Sequence, residues 1–261
     1  MKFLIYVLLS LSFFTISLFG TPAFEETPDV IATTSWTAAF ALAAGADDVH
    51  VLAPYALRHP AEYELKPSDI ALISDAGYII YAGYEVMAGK IQESIDQNGP
   101  ELIHIATDYS MATIRQSVMK IARILGTTDK AQRNIEQIET FIGEWRQELV
   151  PFELTDRAVI AHVFQKPLLD ELGARIAGVF GPAPVEARQI AELSDKDAAL
   201  VVDNWHNDVG KPLRNTMKDV PQVIFLNFPG EEDTRTLIDV LKFNRRELGK
   251  VLADEASAGS D

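Results

Sequence analysis

Residues 108–151 read DYSMATIRQSVMKIARILGTTDKAQRNIEQIETFIGEWRQELVP, two consecutive helical stretches, Asp108–Leu125 and Asp129–Val150, with no strand between them. In the second, Ile135, Ile138, Ile142, Trp145 and Leu149 recur at the spacing of one helix face. Thr128 or Asp129 offers an N-cap, and Pro151, which has no N–H to continue the ladder, ends the run. This stretch divides the chain. Before it, short apolar runs at Val30–Thr34, Val49–Ala53, Tyr78–Ala82 and Glu101–Ile105 alternate with helical segments at Trp36–Ala44, Ser68–Asp75 and Glu85–Gln97. After it come strands at Ala158–His162, Ala199–Asp203 and Gln222–Asn227, a weaker one near Arg175–Val179, and helices at Pro184–Leu193 and Asp233–Val251. Such alternation argues for parallel sheets covered by helices. The expected fold is α/β: a lobe over residues 24–127, a linking helix over 128–150, a second lobe over 151–253 and a disordered tail over 254–261.

The first 23 residues are set apart from that fold. Lys2 is the only charge before Glu25, Phe3–Phe19 is apolar apart from four hydroxyl residues, and Thr21 and Ala23 have the small-residue spacing a signal peptidase reads. The apolar run is short against the roughly 20 residues of a spanning helix, so cleavage near residue 23 is expected rather than retention as an anchor. The chain has no cysteine, which excludes disulfides, thiolate metal sites and a lipid-modified N-terminal Cys. Export without lipidation implies a protein free in the periplasm, expected to be a monomer. The formal net charge is −15, and removing Lys2 leaves 22 basic against 38 acidic residues, −16. A chain this acidic does not hold nucleic acid by phosphate neutralisation.

Histidine placement carries the main chemical signal. His104 ends the strand ELIHI, His162 ends RAVIAH, and His59 lies in the loop that follows VHVLA. Ligands of open α/β sheets bind outside the carboxyl ends of the strands, so three imidazoles at three such ends, from both lobes, are candidates to converge in the cleft on one divalent metal. His50, inside a strand, is read as a packing residue. His206, in VVDNWHND, follows a strand end and is a candidate ligand or near neighbour, as is Asp203; Glu62 and Glu64 default to solvated acids. There is no Cys nucleophile, G-x-S-x-G elbow, phosphate-cradling Gly-rich loop or H-E-x-x-H, so an enzyme is not expected.

The segment Val30–Lys90 resembles the zinc- and manganese-uptake solute-binding proteins of ABC importers, the cluster A-I group. VIATTSW, RHPAEYELKPSD at 58–69 and DAGYIIYAGYEVMAGKI at 75–91 carry the likeness, with His59, Tyr63, Pro67, Ser68 and Asp69 matching the family's loop. His104 in HIATDYSMATIRQSVMKIARIL and His162 in IAHVFQKPLLDELG match its second and third histidines, and LIDVLKFNRREL at 237–248 its closing helix. The resemblance implies two pseudo-symmetric lobes joined by a long backbone helix, a metal between them, and a membrane permease as partner. Two departures stand out: IFLNFPG puts Asn227 where many members have a carboxylate ligand, and the His- and acid-rich loop of many zinc members is missing. Zn2+ is the expected metal, with Mn2+ or Fe2+ as alternatives. A chelate binder of the same architecture (haem, siderophore or corrinoid) needs an aromatic or Arg-lined cleft, for which Trp36, Tyr55, Tyr63 and Trp205 are candidates. A periplasmic metallohydrolase is the remaining alternative.

Overall fold

The structure is a computed structural model that describes residues 30–95 and 99–258; the expected signal segment, Gln97 and the last three residues lie outside it. The chain runs β1 (Val30–Ala32), α1 (Ser35–Ala43), β2 (Val49–Val51), α2 (Pro67–Asp75), β3 (Tyr78–Tyr81), α3 (Val86–Ser94) and β4 (Glu101–His104). Two helices follow without a strand, α4 (Met111–Leu125) and α5 (Thr128–Leu149). The second half comprises β5 (Ala158–His162), α6 (Lys166–Glu171), β6 (Arg175–Phe180), α7 (Ala187–Ser194), β7 (Ala198–Asn204), α8 (Lys211–Thr216), β8 (Gln222–Phe225) and α9 (Leu237–Ala258). Each half builds one sheet, in the orders β2-β1-β3-β4 and β6-β5-β7-β8, and every pairing within them is parallel. The two halves thus repeat one topology.

Alternation along the strands assigns each sheet two faces. Ile80, Ile103, Val159, Ala161, Leu200 and Val202 belong to one large cluster that also takes Ile135, Ile138, Ile142 and Trp145 of α5 and Leu241 and Leu248 of α9. Their neighbours point the other way. Ile31 and Ile79 pack with Ile73, Met87 and Ile91 under α2 and α3, while Ile160 and Val201 pack with Leu193, Leu213 and Met217 under α7 and α8. The helix face read from the sequence of α5 is the face buried here. One core therefore runs through both lobes.

Several boundaries differ from expectation, each for a local reason. β1 stops at Ala32 because Thr34 leaves the sheet to cap α1, its side chain accepting from the Thr37 N–H while Thr37 answers the Thr34 N–H. Neither Thr128 nor Asp129 caps α5; both lie inside the helix. Thr127 holds the cap position, and its hydroxyl donates to the Ala44 carbonyl at 2.5 Å, tying α5 to α1. α9 continues over Asp254–Ala258, five residues of the expected tail, and Glu255 there meets Arg157 at 2.6 Å. The short helices α6 and α8 were not among the expected elements.

A single core through both lobes should make unfolding one transition. Trp145, 1% exposed and packed on Phe225 with ring centroids 6.1 Å apart, is its largest fully buried side chain. Trp145→Ala is expected to cost about 3–5 kcal/mol in urea denaturation without splitting the transition. Two resolved transitions in the wild type would overturn the shared core.

Candidate functional site

Parallel pairing puts the loops after the strands of each sheet on one side of that sheet, and residues following seven of the eight strands line a cavity of about 500 Å³. Thr34 and Trp36 follow β1; Arg58, His59, Pro60, Ala61 and Glu62 follow β2; Tyr84 and Thr107 follow β3 and β4. From the second lobe come Phe164 after β5, His206 and Asn207 after β7, and Asn227 and Phe228 after β8. In both sheets the strand order reverses between the first and third strands, and these crevices are where open α/β sheets take their ligands.

The loop carrying His59 is fixed from both sides. Asp69, only 8% exposed, accepts the Tyr63 hydroxyl and the Lys66 N–H, each at 2.8 Å, which closes the loop onto the start of α2. Across the cleft, Arg58 Nε and Nη2 donate to the Trp205 carbonyl at 2.9 and 2.6 Å, with the guanidinium 4.9 Å from the Trp205 ring. Ser35 Oγ donates to the Pro229 carbonyl at 2.7 Å, and the Arg235 guanidinium lies 4.1 Å over Tyr55. Gly230 (φ +149) is required at this junction, since a Cβ there would stand 2.4 Å from the Tyr55 carbonyl oxygen. His59 itself is exposed, precedes the turn Pro60–Glu62 and does not cap it.

The structure brings His59 and His206 to this cavity and leaves His104 and His162 outside its lining. His104 is exposed at the end of the edge strand β4, where its Nε2 lies 3.0 Å from the Ala82 carbonyl and its ring 5.2 Å from that of Tyr81. His162 is wholly buried. Its Nδ1 accepts the Phe164 N–H at 3.1 Å, so Nε2 carries the hydrogen and donates to Asn207 Oδ1 at 2.8 Å. Burial holds its pKa below the ordinary value, against the opposing hydrogen bond to Asn207. Gly181 leaves room for that ring, because a Cβ there would be 2.3 Å from Nε2. His50 is exposed on the edge strand β2.

Among the remaining candidates, Asp203 is turned away and fully buried. It pairs with Arg214, which also holds Asp208 at 2.8 Å, and its Oδ1 accepts the Asn204 N–H at 2.7 Å. Asn227 is 3% exposed and lines the cavity, with its Oδ1 buried and without a hydrogen-bond partner. Glu62 lines the cavity and Glu64 does not. Among the described residues, no three His, Asp or Glu side chains are grouped to hold one metal.

His206, also a candidate from the sequence, lines the cavity with His59. It sits in the turn Trp205–Asn207, stacked on Phe228 with centroids 3.5 Å apart and edge-on to Trp205 at 4.8 Å. Its Nδ1 accepts the Asn227 N–H at 3.2 Å, which leaves the hydrogen on Nε2. Burial first, then the charges of Arg58 and His59, push its pKa down to about 3. Sequence reading missed Arg58, Tyr84, Phe164, Asn207 and Phe228. Phe164, Asn207 and Phe228 each stand within two residues of a candidate that it did name, and the strand-end rule reaches them.

No protein-family model matches the chain, and no curated protein matches it. Solved structures do. The solute-binding protein FpvC from Pseudomonas aeruginosa, in complex with Mn2+, matches at TM-score 0.69 and 17% identity over 89% of this chain and 100% of that one. The laminin-binding protein Lmb of Streptococcus agalactiae, described as a bifunctional protein with adhesin and metal transporting activity, matches at 0.66 and 15% over 86% and 99%. The metal-dependent lipoprotein YcdH from Bacillus subtilis matches at 0.62 and 17% over 85% and 97%. The likeness establishes a shared two-lobed α/β fold.

Folding keeps His206 neutral down to about pH 3, whereas the unfolded chain protonates it near ~6.5. The unfolded state then binds more protons between those values, so stability is full above about pH 6.5 and falls as pH drops towards 3. His162 acts in the same direction. His206→Gln is expected to flatten part of that acid-side loss, read as urea midpoints at several pH values. Parallel wild-type and variant profiles would refute the assignment.

Proposed function

We propose that this chain is the periplasmic solute-binding protein of an ABC importer, capturing a divalent transition metal in the interlobe cavity and delivering it to a membrane permease. The observation that carries the reading is the exposed imidazole of His59, on a loop fixed by Asp69 on one side and the Arg58 clamp on the other, in a cavity built from the strand ends of both lobes. Solved proteins of this fold are described as binding or transporting metals, which supports it. Capture and release require no turnover. The Arg58–Trp205 and Ser35–Pro229 bonds favour a site that closes little, because wide opening would break them.

His59 is proposed as the primary ligand. In a three-histidine site His104 would bind through Nδ1 with its Nε2–H kept on the Ala82 carbonyl, whereas His162 would have to release the Phe164 N–H to bind through Nδ1, or both of its partners to bind through Nε2. Zinc is proposed as the metal, since the cavity offers imidazole and an amide at Asn227 but no carboxylate after β8. Manganese binds nitrogen sites more weakly and favours hard oxygen donors. The export signal expected before residue 24 fits this role.

Elemental analysis of untagged mature protein is expected to find about one equivalent of transition metal, zinc above manganese, and its loss in His59→Ala. His104→Ala is expected to retain it. Loss in both His104→Ala and His162→Ala, with folding intact, would instead establish the three-histidine site. Manganese that displaces zinc at comparable concentration would refute the zinc assignment.

A further inference from the structure

The cavity is large for a bare ion. A metal with six waters fills roughly 200 Å³ at about 30 Å³ per water, and about 500 Å³ is available here. That volume falls within the small-molecule range of about 300–1,000 Å³. The protein donors are too few to surround an ion, since no three His, Asp or Glu side chains group at one point among the described residues.

Two of the polar residues, His206 and Asn207, present hydrogen-bond donors, beside the acceptor oxygens of Glu62 and Asn227. The His206 ring accepts the Asn227 N–H at Nδ1 and so turns an N–H, at Nε2, away from that contact. Asn207 is oriented in the same manner: its Oδ1 takes the His162 Nε2–H, which leaves its NH2 as a donor. Both residues line the cavity, and neither of these N–H groups has a protein partner among the described residues. N–H groups meet oxygen acceptors and do not ligate a cation. Trp36, Tyr84, Phe164 and Phe228 supply flat apolar walls around them.

We propose that the metal is taken up as its complex with a small polycarboxylate, His59 giving one imidazole to the metal while His206 Nε2–H and the Asn207 amide donate to the chelator's carboxylate oxygens. The inference rests on the metal-capture reading and names the form in which the metal arrives. Each partner then meets its complement: the soft nitrogen lone pair goes to the metal, the donors go to anionic oxygen, and the chelator fills the coordination positions that the chain leaves open.

Native mass spectrometry and calorimetry of the mature chain with zinc chloride, with citrate, malate or oxalate alone, and with each zinc–carboxylate mixture test this. Zinc and one carboxylate are expected to bind together as a one-to-one-to-one complex, at least tenfold tighter than zinc alone. His206→Phe, which keeps the stacking surface, and Asn207→Asp, which sets a negative charge against the carboxylate, should each weaken that complex at least tenfold. Circular dichroism of both variants without ligand checks that they fold. Zinc bound as tightly without any carboxylate overturns the chelate inference and leaves metal capture standing. Binding of neither zinc nor any mixture overturns both.

Discussion

Parallel pairing obliges each strand to return by a crossover, and all the pairings within the two sheets are parallel. The carboxyl ends of each sheet's strands therefore emerge on one side of that sheet, and residues following seven of the eight strands line one cavity. His59, Tyr84, Phe164, His206 and Asn227 are far apart in sequence and share no motif. They meet because each follows a strand of the same polarity. The second sheet repeats the order of the first, so two crevices face each other where a single sheet would offer one.

That geometry is useful only if the lobes hold their relation, and two features secure it. The apolar faces of both sheets close on α5 and α9 in a common core, so the helix that links the lobes is also packed between them. Nearer the cavity, Arg58 and Ser35 donate across the cleft to backbone carbonyls at Trp205 and Pro229. Backbone acceptors do not titrate, so neither tie depends on the protonation of an acceptor side chain.

Main-chain N–H groups also set the chemistry of the imidazoles. His162 and His206 each accept such a bond at Nδ1, from Phe164 and Asn227, and are thereby fixed as Nε2–H tautomers. A histidine held in this way is a donor at its other nitrogen. The His59 ring has no such bond among the described residues. The rings thus differ in whether a neighbouring backbone N–H reaches them.

The sequence by itself determined the periodicities. The apolar face of α5, the strand–helix alternation on either side of it and the rule that ligands lie beyond strand ends gave the two-lobed α/β plan and brought His59 and His206 under scrutiny, while the family resemblance pointed to Asn227. The periodicities are local properties, readable from spacing. Which imidazoles reach the cavity was decided by tertiary structure. His104 and His162 also end strands, but β4 is an edge strand whose last ring falls back on Ala82, and the His162 ring is drawn into the second lobe by Phe164 and Asn207. Asp203 likewise looks available in sequence until Arg214 is folded against it. Spacing places a residue at the end of a strand; the direction its side chain takes depends on partners many residues away, and those partners exist only in the folded chain.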